Sequence, residues 1–252
     1  MIPQWKIAAL GALGGAVLAV LVVFGAATFG LFPHSHDVDG PQLRAWLLDH
    51  PGIVTDMMAR ASAEQDAAAE RAQQAAVRTV GLKTFFDPKV AFVTGPVNAK
   101  ATLVEFFDYN CPYCRASIPA LTKYYDAHKT DTRFSFIEFP IKGPNSIVAA
   151  RAGLASRKQP DKYLAFHFML MNEEGLITDD IVFADAAKVG LDVAKLKADM
   201  ADPAIDRAID AAHHLALSVK IDGTPTFLFN GRLRAGAVDD AALRDAMAGK
   251  AI

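Results

Sequence analysis

The sequence contains little cysteine and no excess of positive charge. Two cysteines occur among 252 residues, too few for a disulfide scaffold, and a zinc site built from four thiolates is impossible within one such chain. Lysine and arginine total 26 against 28 aspartate and glutamate, which gives a net charge of −2. Because nucleic-acid-binding domains carry a basic surface, this balance predicts no nucleic-acid partner.

Charged residues are also absent from a long stretch near the start, residues 7–32. About 20 apolar residues span a bilayer as a helix, so we predict a single transmembrane anchor here. Lys6 precedes the stretch, and the positive-inside rule then places residues 1–6 in the cytoplasm and the remainder on the periplasmic side of the inner membrane. The alternative is a signal peptide, with Gly25 and Ala27 at positions −3 and −1 of the cut and a soluble periplasmic product. Both interpretations export the rest of the chain to an oxidising compartment, where disulfides persist.

The next segment, residues 37–81, is rich in alanine, glutamine, glutamate and arginine. We predict a short helix over 42–49 and a longer one over 53–79, ended by Gly81. The apolar stripe of the longer helix is mostly alanine, so its burial would stabilise little. The segment is interpreted as a solvated helical stalk, and the alternative is a self-association region that assembles several copies.

Residues 86–252 have the pattern of a compact α/β domain. The strands of the predicted sheet lie at 102–107, 132–141 and on both sides of a two-residue turn at Asn230–Gly231, and a short strand is predicted before them at 89–93. Helical patterns dominate from about 144 to 219, and Asp239 is expected to cap a last helix. We therefore predict a mixed four-stranded sheet with helices on both faces, interrupted by an inserted helical subdomain.

The two cysteines, Cys111 and Cys114, follow a predicted strand and open a helix. Unpaired N–H groups and the helix dipole favour an anion at that point, so we expect the pKa of Cys111 to fall to ~3.5–7.5 from the ~8.5 of a free thiol. Such a thiolate is both available at neutral pH and a good leaving group, as disulfide exchange requires. Cys114, one turn later, is expected to be more buried and to attack a mixed disulfide formed at Cys111.

Two other uses of the cysteines are weaker. A zinc site lacks a second pair of ligands close in sequence. A purely structural disulfide across two residues would restrain little chain entropy. No metal site is therefore predicted.

The stretch "VEFFDYNCPYC", residues 104–114, with "GTPTFLFNG" at 223–231, resembles the DsbA family of exported thiol–disulfide oxidoreductases. The stalk in front of the domain most resembles ScsC-type members, some of which are trimeric disulfide isomerases. The resemblance implies a thioredoxin fold with a helical insertion over about residues 86–252. It also implies exported cysteine-containing proteins as substrates, and no cofactor is expected.

The resemblance assigns roles to three residues that carry the chemistry. Cys111 is the thiol that exchanges with substrate, and Cys114 resolves the mixed disulfide. Glu105, six residues before Cys111, matches the buried acid of the family, and a desolvated carboxyl of raised pKa can relay the proton of Cys114. A second carboxyl, Glu138, is expected to face solvent.

Four further residues are assigned to the substrate-binding surface. Pro225 is implied to be cis, with Thr224 before it, beside the cysteines and offering its backbone to an extended substrate. Pro112 and Tyr113, between the two cysteines, belong to the same surface. Pro112 also suits the first turn of a helix, where its missing N–H costs nothing.

The sequence therefore predicts a membrane-anchored thiol–disulfide oxidoreductase facing the periplasm, and it leaves the direction of exchange open. If the stalk assembles a homotrimer, a disulfide isomerase of ScsC type, kept reduced by a membrane partner, is favoured. If the protein is a monomer, a DsbA-like oxidase recharged by a quinone-linked membrane partner is favoured. A periplasmic carrier that binds Cu(I) between the two thiolates is the alternative from another class.

Overall fold

The computed structural model describes residues 39–250. The predicted membrane segment, residues 7–32, lies outside this range. Between residues 39 and 250 no helix is both long and apolar enough to cross a membrane. The described residues divide into two units between Gln65 and Asp66.

The described part of the first unit is helical. Helix α1 spans Gly40–Asp49, and helix α2, Pro51–Val80, begins in this unit and continues into the second. Each helix starts two residues before its predicted start because a proline lies in its first turn, where the missing N–H costs nothing. No residue of α1 is buried. Met57 and Met58 of α2 are 63% and 69% exposed, so these two apolar side chains face solvent in the single chain.

The second unit is built on a five-stranded sheet. Its strands are β1 Phe92–Thr94, β2 Ala101–Phe107, β3 Thr132–Glu138, β4 Thr226–Phe229 and β5 Arg232–Ala235. They lie in the order β1-β3-β2-β4-β5, with β2 and β3 parallel and the other neighbours antiparallel. The predicted mixed sheet is confirmed, but the predicted number of four strands is wrong. The three-residue β1 pairs with β3 as an additional edge strand, and it starts at Phe92 because the N–H groups of Val90 and Ala91 turn back to the carbonyl of Asp87.

Seven further helices surround the sheet. They are α3 Pro112–His128, α4 Pro144–Ser156, α5 Pro160–Met171, α6 Asp179–Lys188, α7 Val193–Met200, α8 Pro203–Ser218 and α9 Asp240–Met247, and a 3-10 helix spans Leu82–Phe86. Helices α4 to α8 lie between β3 and β4 in the chain. The prediction for Asp239 is confirmed, since its side chain accepts a hydrogen bond of 2.8 Å from the N–H of Ala242 at the start of α9.

The β4–β5 hairpin turns at Asn230 and Gly231, whose φ angles are 51° and 81°. Two positive φ values are what a two-residue hairpin turn of the I′ type needs, and asparagine followed by glycine meets that need at low cost. The side-chain amide of Gln74 in α2 donates to the carbonyl of Gly231 (2.7 Å) and accepts from the N–H of Leu233 (3.2 Å). This helix therefore covers part of the free edge of β5.

Side chains of the central strand β2 alternate between two buried clusters. Leu103 and Phe107 belong to the cluster that includes both cysteines and most of the helical block. Val104 and Phe106 belong to the other cluster, which includes residues of α8 and Val77 of α2. Because successive side chains of a strand point to opposite faces, Glu105 points to the same face as Leu103 and Phe107. The fold thus directs one carboxyl into the core that holds the dithiol.

Candidate active site

Cys111 and Cys114 lie at the start of α3, just beyond the carboxyl end of β2. Cys111 is the N-cap and has an extended backbone, with φ −86° and ψ 117°, a conformation that the following Pro112 favours. The N–H of Cys114 donates to the carbonyl of Cys111 at 3.1 Å. Both cysteines are free thiols with an exposed fraction of 0%. Cys114 was expected to be more buried than Cys111, but the exposed fractions of the two residues do not differ.

The environment of Cys111 favours its anionic form. Its pKa is lowered to about 5, chiefly by a hydrogen bond from the thiol of Cys114. The side chain of Thr224 and the backbone N–H groups at Tyr113 and Cys114 also lower the pKa, while burial opposes them. The value falls in the range expected at a helix start, so Cys111 is a thiolate at neutral pH.

The environment of Cys114 has the opposite effect. Burial raises the pKa of Cys114 far above that of a free thiol, and the hydrogen bond to Cys111 and the charge of Glu105 raise it further. The proton of the dithiol therefore stays on Cys114 while Cys111 carries the charge. This asymmetry separates a nucleophile from a protonated resolving thiol.

Glu105 is the carboxyl on this face of β2. It is fully buried, and neither carboxyl oxygen has a hydrogen-bond partner. Its neighbours across the sheet are Phe136 on β3 and Phe227 on β4. Burial, and next the negative charge of Cys111, raise the pKa of Glu105 to about 8. A group with this pKa can both accept and release a proton near neutral pH.

Thr224 and Pro225 lie beside the cysteines. The peptide bond between them is cis, as the resemblance implied, and Pro225 is buried. The sulfur of Cys111 lies 3.1 Å from the carbonyl oxygen of Thr224. Pro112 and Tyr113 are exposed, Tyr113 to 65%. The structure therefore brings Cys111 and Thr224 into direct contact and leaves two residues between the cysteines open to solvent.

Comparison with known proteins identifies the family. A model of the DSBA-like thioredoxin domain matches residues 102–248, more than half of the chain. The chain belongs to this family. Together with the fold and the dithiol, membership makes the domain a thiol–disulfide oxidoreductase domain.

Two solved structures illustrate the similarity of this DSBA-like domain to others. A thioredoxin-like oxidoreductase from Silicibacter pomeroyi is 39% identical, with a TM-score of 0.62, covering 67% of this chain and 96% of its own. The catalytic domain of ScsC from Proteus mirabilis is 25% identical, with a TM-score of 0.62, covering 70% of this chain and 97% of its own.

Curated relatives include a disulfide bond formation protein and Na(+)/H(+) antiporters. A probable disulfide bond formation protein D from Bacillus cereus is 29% identical over 151 residues, which are 55% of this chain and 69% of that protein. A Na(+)/H(+) antiporter NhaA from Herminiimonas arsenicoxydans is also 29% identical, over 153 residues that are 61% of this chain. The match spans only 24% of the length of the antiporter.

Asp108, directly after β2, is a part of the DSBA-like site that the sequence analysis missed. Its carboxylate is 2% exposed and accepts hydrogen bonds from the N–H groups of Asn110 (2.7 Å), Ile141 (2.7 Å) and Lys142 (2.8 Å) and from the hydroxyl of Ser146 (2.7 Å). The carbonyl of Asp108 also accepts from the N–H of Cys111 at 3.0 Å. Asp108 therefore ties the loop between β2 and α3, residues 108–111, to the start of α4. We call residues 108–111 the cysteine loop. An aspartate placed just after a buried strand was the available signal.

Glu138 was expected to face solvent, and this prediction is wrong. It is 1% exposed and forms an ion pair with Arg157, while the hydroxyl of Tyr163 donates to it at 3.1 Å. Glu138 lies on the same face of β3 as Phe134 and Phe136, because side chains two residues apart in a strand point the same way. It therefore points into the core. The alternation was visible in the sequence, but the cation that pairs with Glu138 lies 19 residues later, at the end of α4.

The neighbouring His167 is also fully buried, with Nδ1 3.3 Å from the hydroxyl of Tyr109. Burial and then the charge of Arg157 lower the pKa of His167 to about 3, so it is neutral at physiological pH. Over residues 39–250, no group of three or more His, Cys, Asp or Glu side chains is arranged to hold a metal ion.

Proposed function

We propose that this chain is an exported thiol–disulfide oxidoreductase that acts on protein disulfides through Cys111 and Cys114. The observation that carries the proposal is the opposed environment of the two thiols, with the pKa lowered to about 5 at Cys111 and raised at Cys114. A thiolate next to a protonated thiol is the starting state for stepwise exchange.

In the reducing direction, the Cys111 thiolate attacks one sulfur of a substrate disulfide. An S–S bond forms between Cys111 and that sulfur as the substrate bond breaks, and the other substrate sulfur leaves as a thiolate. Cys114 then loses its proton and attacks Cys111, releasing the first substrate sulfur. The substrate gains two electrons, the enzyme is left with a Cys111–Cys114 disulfide, and the reverse sequence introduces a disulfide into a substrate dithiol.

Glu105 is proposed to accept the proton that Cys114 loses. Its charge interacts with Cys114, and its pKa is raised to about 8, so about a tenth of it is ionised at pH 7 and ready to accept a proton. Both carboxyl oxygens of Glu105 lack a hydrogen-bond partner, so both are free to accept this proton. Proton transfer to Glu105 therefore makes Cys114 nucleophilic only when it is needed.

Thr224 and Pro225 are proposed to bind the backbone of the substrate, since Thr224 lies next to the sulfur of Cys111. Pro112 and Tyr113, which are exposed between the cysteines, complete the surface on which an extended substrate segment lies. Such a segment needs only its backbone and one cysteine to bind, which suits an enzyme that acts on many proteins.

The direction of exchange is proposed to be disulfide isomerisation of ScsC type. In this proposal residues 7–32 anchor the protein in the inner membrane, residues 37–81 form a stalk that assembles a homotrimer, and a membrane reductant keeps the dithiols reduced. The exposed Met57 and Met58 supply apolar surface for assembly. The catalytic domain faces the periplasm.

One observation favours a second candidate, a DsbA-like dithiol oxidase. A pKa of about 5 at Cys111 stabilises the reduced dithiol, and a dithiol stabilised in its reduced form is a strong oxidant. In that case a quinone-linked membrane partner reoxidises the enzyme and the stalk is a spacer.

The two directions are separated by one experiment on the full chain in detergent. Catalytic amounts are incubated with a scrambled-disulfide protein, and recovery of its activity is followed beside the Cys111→Ala variant. Recovery that depends on Cys111 supports the isomerase. Fast oxidation of the reduced substrate without recovery supports the oxidase, and absence of both reactions contradicts the exchange proposal.

A further inference from the structure

The connection between α5 and α6, residues 172–178, is fastened to the cysteine loop. Asn110, just before Cys111, accepts a hydrogen bond of 2.8 Å through Oδ1 from the N–H of Ile177. Arg115, just after Cys114, donates through Nη1 to the carbonyl of Gly175 at 2.5 Å. The residues on either side of the dithiol therefore hold two points of this connection, which we call the clasped loop.

Arg115 is itself held in place by the cysteine loop. Its Nε donates to the carbonyl of Tyr109 at 3.0 Å, and its Nη2 donates to Oδ1 of Asn110 at 3.4 Å. One guanidinium thus joins the start of α3, the end of the cysteine loop and the clasped loop. Because its donors have a fixed planar geometry, the clasped loop has a defined position relative to the dithiol.

Leu176 lies between the two fixed points of the clasped loop and is 58% exposed, whereas the adjacent Ile177 is fully buried. Single exposed leucines are common on protein surfaces. Leu176 differs from these because hydrogen bonds hold both of its neighbours, Gly175 and Ile177, to residues that flank the cysteines. The chain therefore presents an apolar side chain between two backbone positions that are held by the residues flanking the dithiol.

We propose that Leu176 is a specificity-determining residue, which contacts apolar residues next to the reacting cysteine of an unfolded polypeptide. The proposal rests on the proposed function. A substrate that reacts at Cys111 passes close to Leu176, because the clasped loop is hydrogen-bonded to the residues on either side of the cysteines. An unfolded substrate exposes the apolar residues that its fold would bury, and an exposed leucine beside the cysteine loop offers them an apolar contact.

The test compares two peptides that differ only beside a single cysteine, which is held in a mixed disulfide with glutathione. One peptide has phenylalanine on both sides of the cysteine, and the other has lysine. The reduced full chain is mixed with each, and the rate constant for reduction is measured. For the wild-type chain we expect the phenylalanine peptide to react about fivefold faster, since partial burial of one apolar side chain gives a preference of this order.

The variant Leu176→Asp is expected to reverse this preference by attracting the lysine peptide. The variant should reduce the lysine peptide faster than the wild type does. A misfolded variant could not gain rate in this way, so the test does not rest on a loss of activity. The matched control is Val97→Asp. Val97 is 78% exposed and follows β1, whose last residue, Thr94, pairs with Phe134 near the start of β3. Because β2 and β3 are parallel, this is the end of the sheet opposite to the carboxyl end of β2, beyond which the dithiol lies. This control is expected to keep the wild-type ratio.

The possible outcomes separate the two proposals. An unchanged ratio in Leu176→Asp, or an equal change in Val97→Asp, overturns the role of Leu176 while exchange itself stands. Exchange by the wild-type chain without any preference has the same meaning. If the wild-type chain reduces neither peptide, the proposed function fails and the role of Leu176 fails with it.

Discussion

The sulfur of Cys111 lies 3.1 Å from the carbonyl oxygen of Thr224, 113 positions further along the chain. A carbonyl oxygen accepts a hydrogen bond from a thiol but has nothing to accept from a thiolate. Because the pKa of Cys111 is lowered to about 5, the proton that makes this bond is lost at neutral pH. Ionisation of Cys111 thus creates the nucleophile and leaves a free acceptor beside it for a backbone N–H of the proposed substrate segment.

The first prediction concerns the ionisation of Cys111. In the reduced chain, the rate of alkylation of Cys111 by iodoacetamide should rise with pH through a midpoint near 5, because only the thiolate reacts. The variant Cys114→Ala removes the hydrogen bond that contributes most to the lowered pKa, so its midpoint should shift upward. Alkylation followed by mass spectrometry over a pH series measures both. A wild-type midpoint near the ~8.5 of a free thiol would contradict the lowered pKa.

The second prediction concerns Glu105, whose pKa is about 8 in the fold against an ordinary 4.5. A raised pKa means that its stabilising contribution is complete below pH 4.5 and is lost as pH rises through 8. Glu105→Gln removes this loss, so the reduced variant should exceed the wild type in free energy of unfolding by about 3–5 kcal/mol at pH 8. The two should agree near pH 4, as urea unfolding at both pH values would show.

The same variant should exchange more slowly. Glutamine cannot accept the proton of Cys114, so release of the mixed disulfide should slow by roughly 100-fold or more, the usual contribution of a positioned base. Stopped-flow detection of the mixed disulfide measures this step. A variant that is more stable but exchanges at the wild-type rate would make Glu105 a buried acid with no part in the proton transfer.

The local pattern of the sequence was sufficient to predict much of this site. An apolar strand followed by a cysteine and a proline determines where α3 begins, and Asn230–Gly231 determines where the hairpin turns. These signals depend on residues close together in the chain, for which backbone sterics and caps are decisive. The pKa range of Cys111 was predicted from its position at a helix start, but the largest contribution comes from the hydrogen bond of the Cys114 thiol, which the sequence analysis did not include.

The connections between distant segments were not predictable in the same way. Asp108 has donors more than 30 residues away at Ile141 and Lys142, and no short motif relates them. The inward direction of Glu138 follows from strand alternation. Its ion pair with Arg157 depends on the packing of α4 against β3, which no short sequence pattern indicates. β1 was misplaced because three residues are too few to show an alternating pattern.

The third prediction concerns Asp108. The variant Asp108→Asn keeps the volume of the side chain but replaces one acceptor oxygen by an N–H donor that faces other donors. We expect a loss of about 2–4 kcal/mol in the free energy of unfolding, because buried donors are left without partners. Ser146→Ala, which removes one of the four hydrogen bonds, should cost about 1 kcal/mol. If urea unfolding shows equal losses for both variants, Asp108 does not act as the common acceptor.

The fourth prediction concerns the buried pair of Glu138 and Arg157. Arg157→Met leaves the buried carboxylate without its cation, and such a change costs about 3–5 kcal/mol at pH 8. Burial already raises the pKa of Glu138 and Arg157 opposes that rise, so the pKa should rise further in the variant. The carboxyl then binds a proton in the fold more readily than in the unfolded chain, and the loss of stability should be smaller at pH 5 than at pH 8.

Two comparisons decide whether charge pairing is the cause. The double variant Glu138→Gln, Arg157→Met contains no buried charge at either position, so it should recover most of the stability. It should also lose the part of the pH dependence that is due to Glu138, while the part due to Glu105 remains. Lys158→Met is the matched control, because Lys158 is next in sequence but pairs with Asp199 and Asp202 at the surface, where an ion pair contributes about 0–1 kcal/mol. Urea unfolding of all four proteins at pH 5 and pH 8 provides the data. An Arg157→Met variant that loses the same free energy at both pH values would mean that the packing of the arginine, and not its charge, stabilises this part of the core.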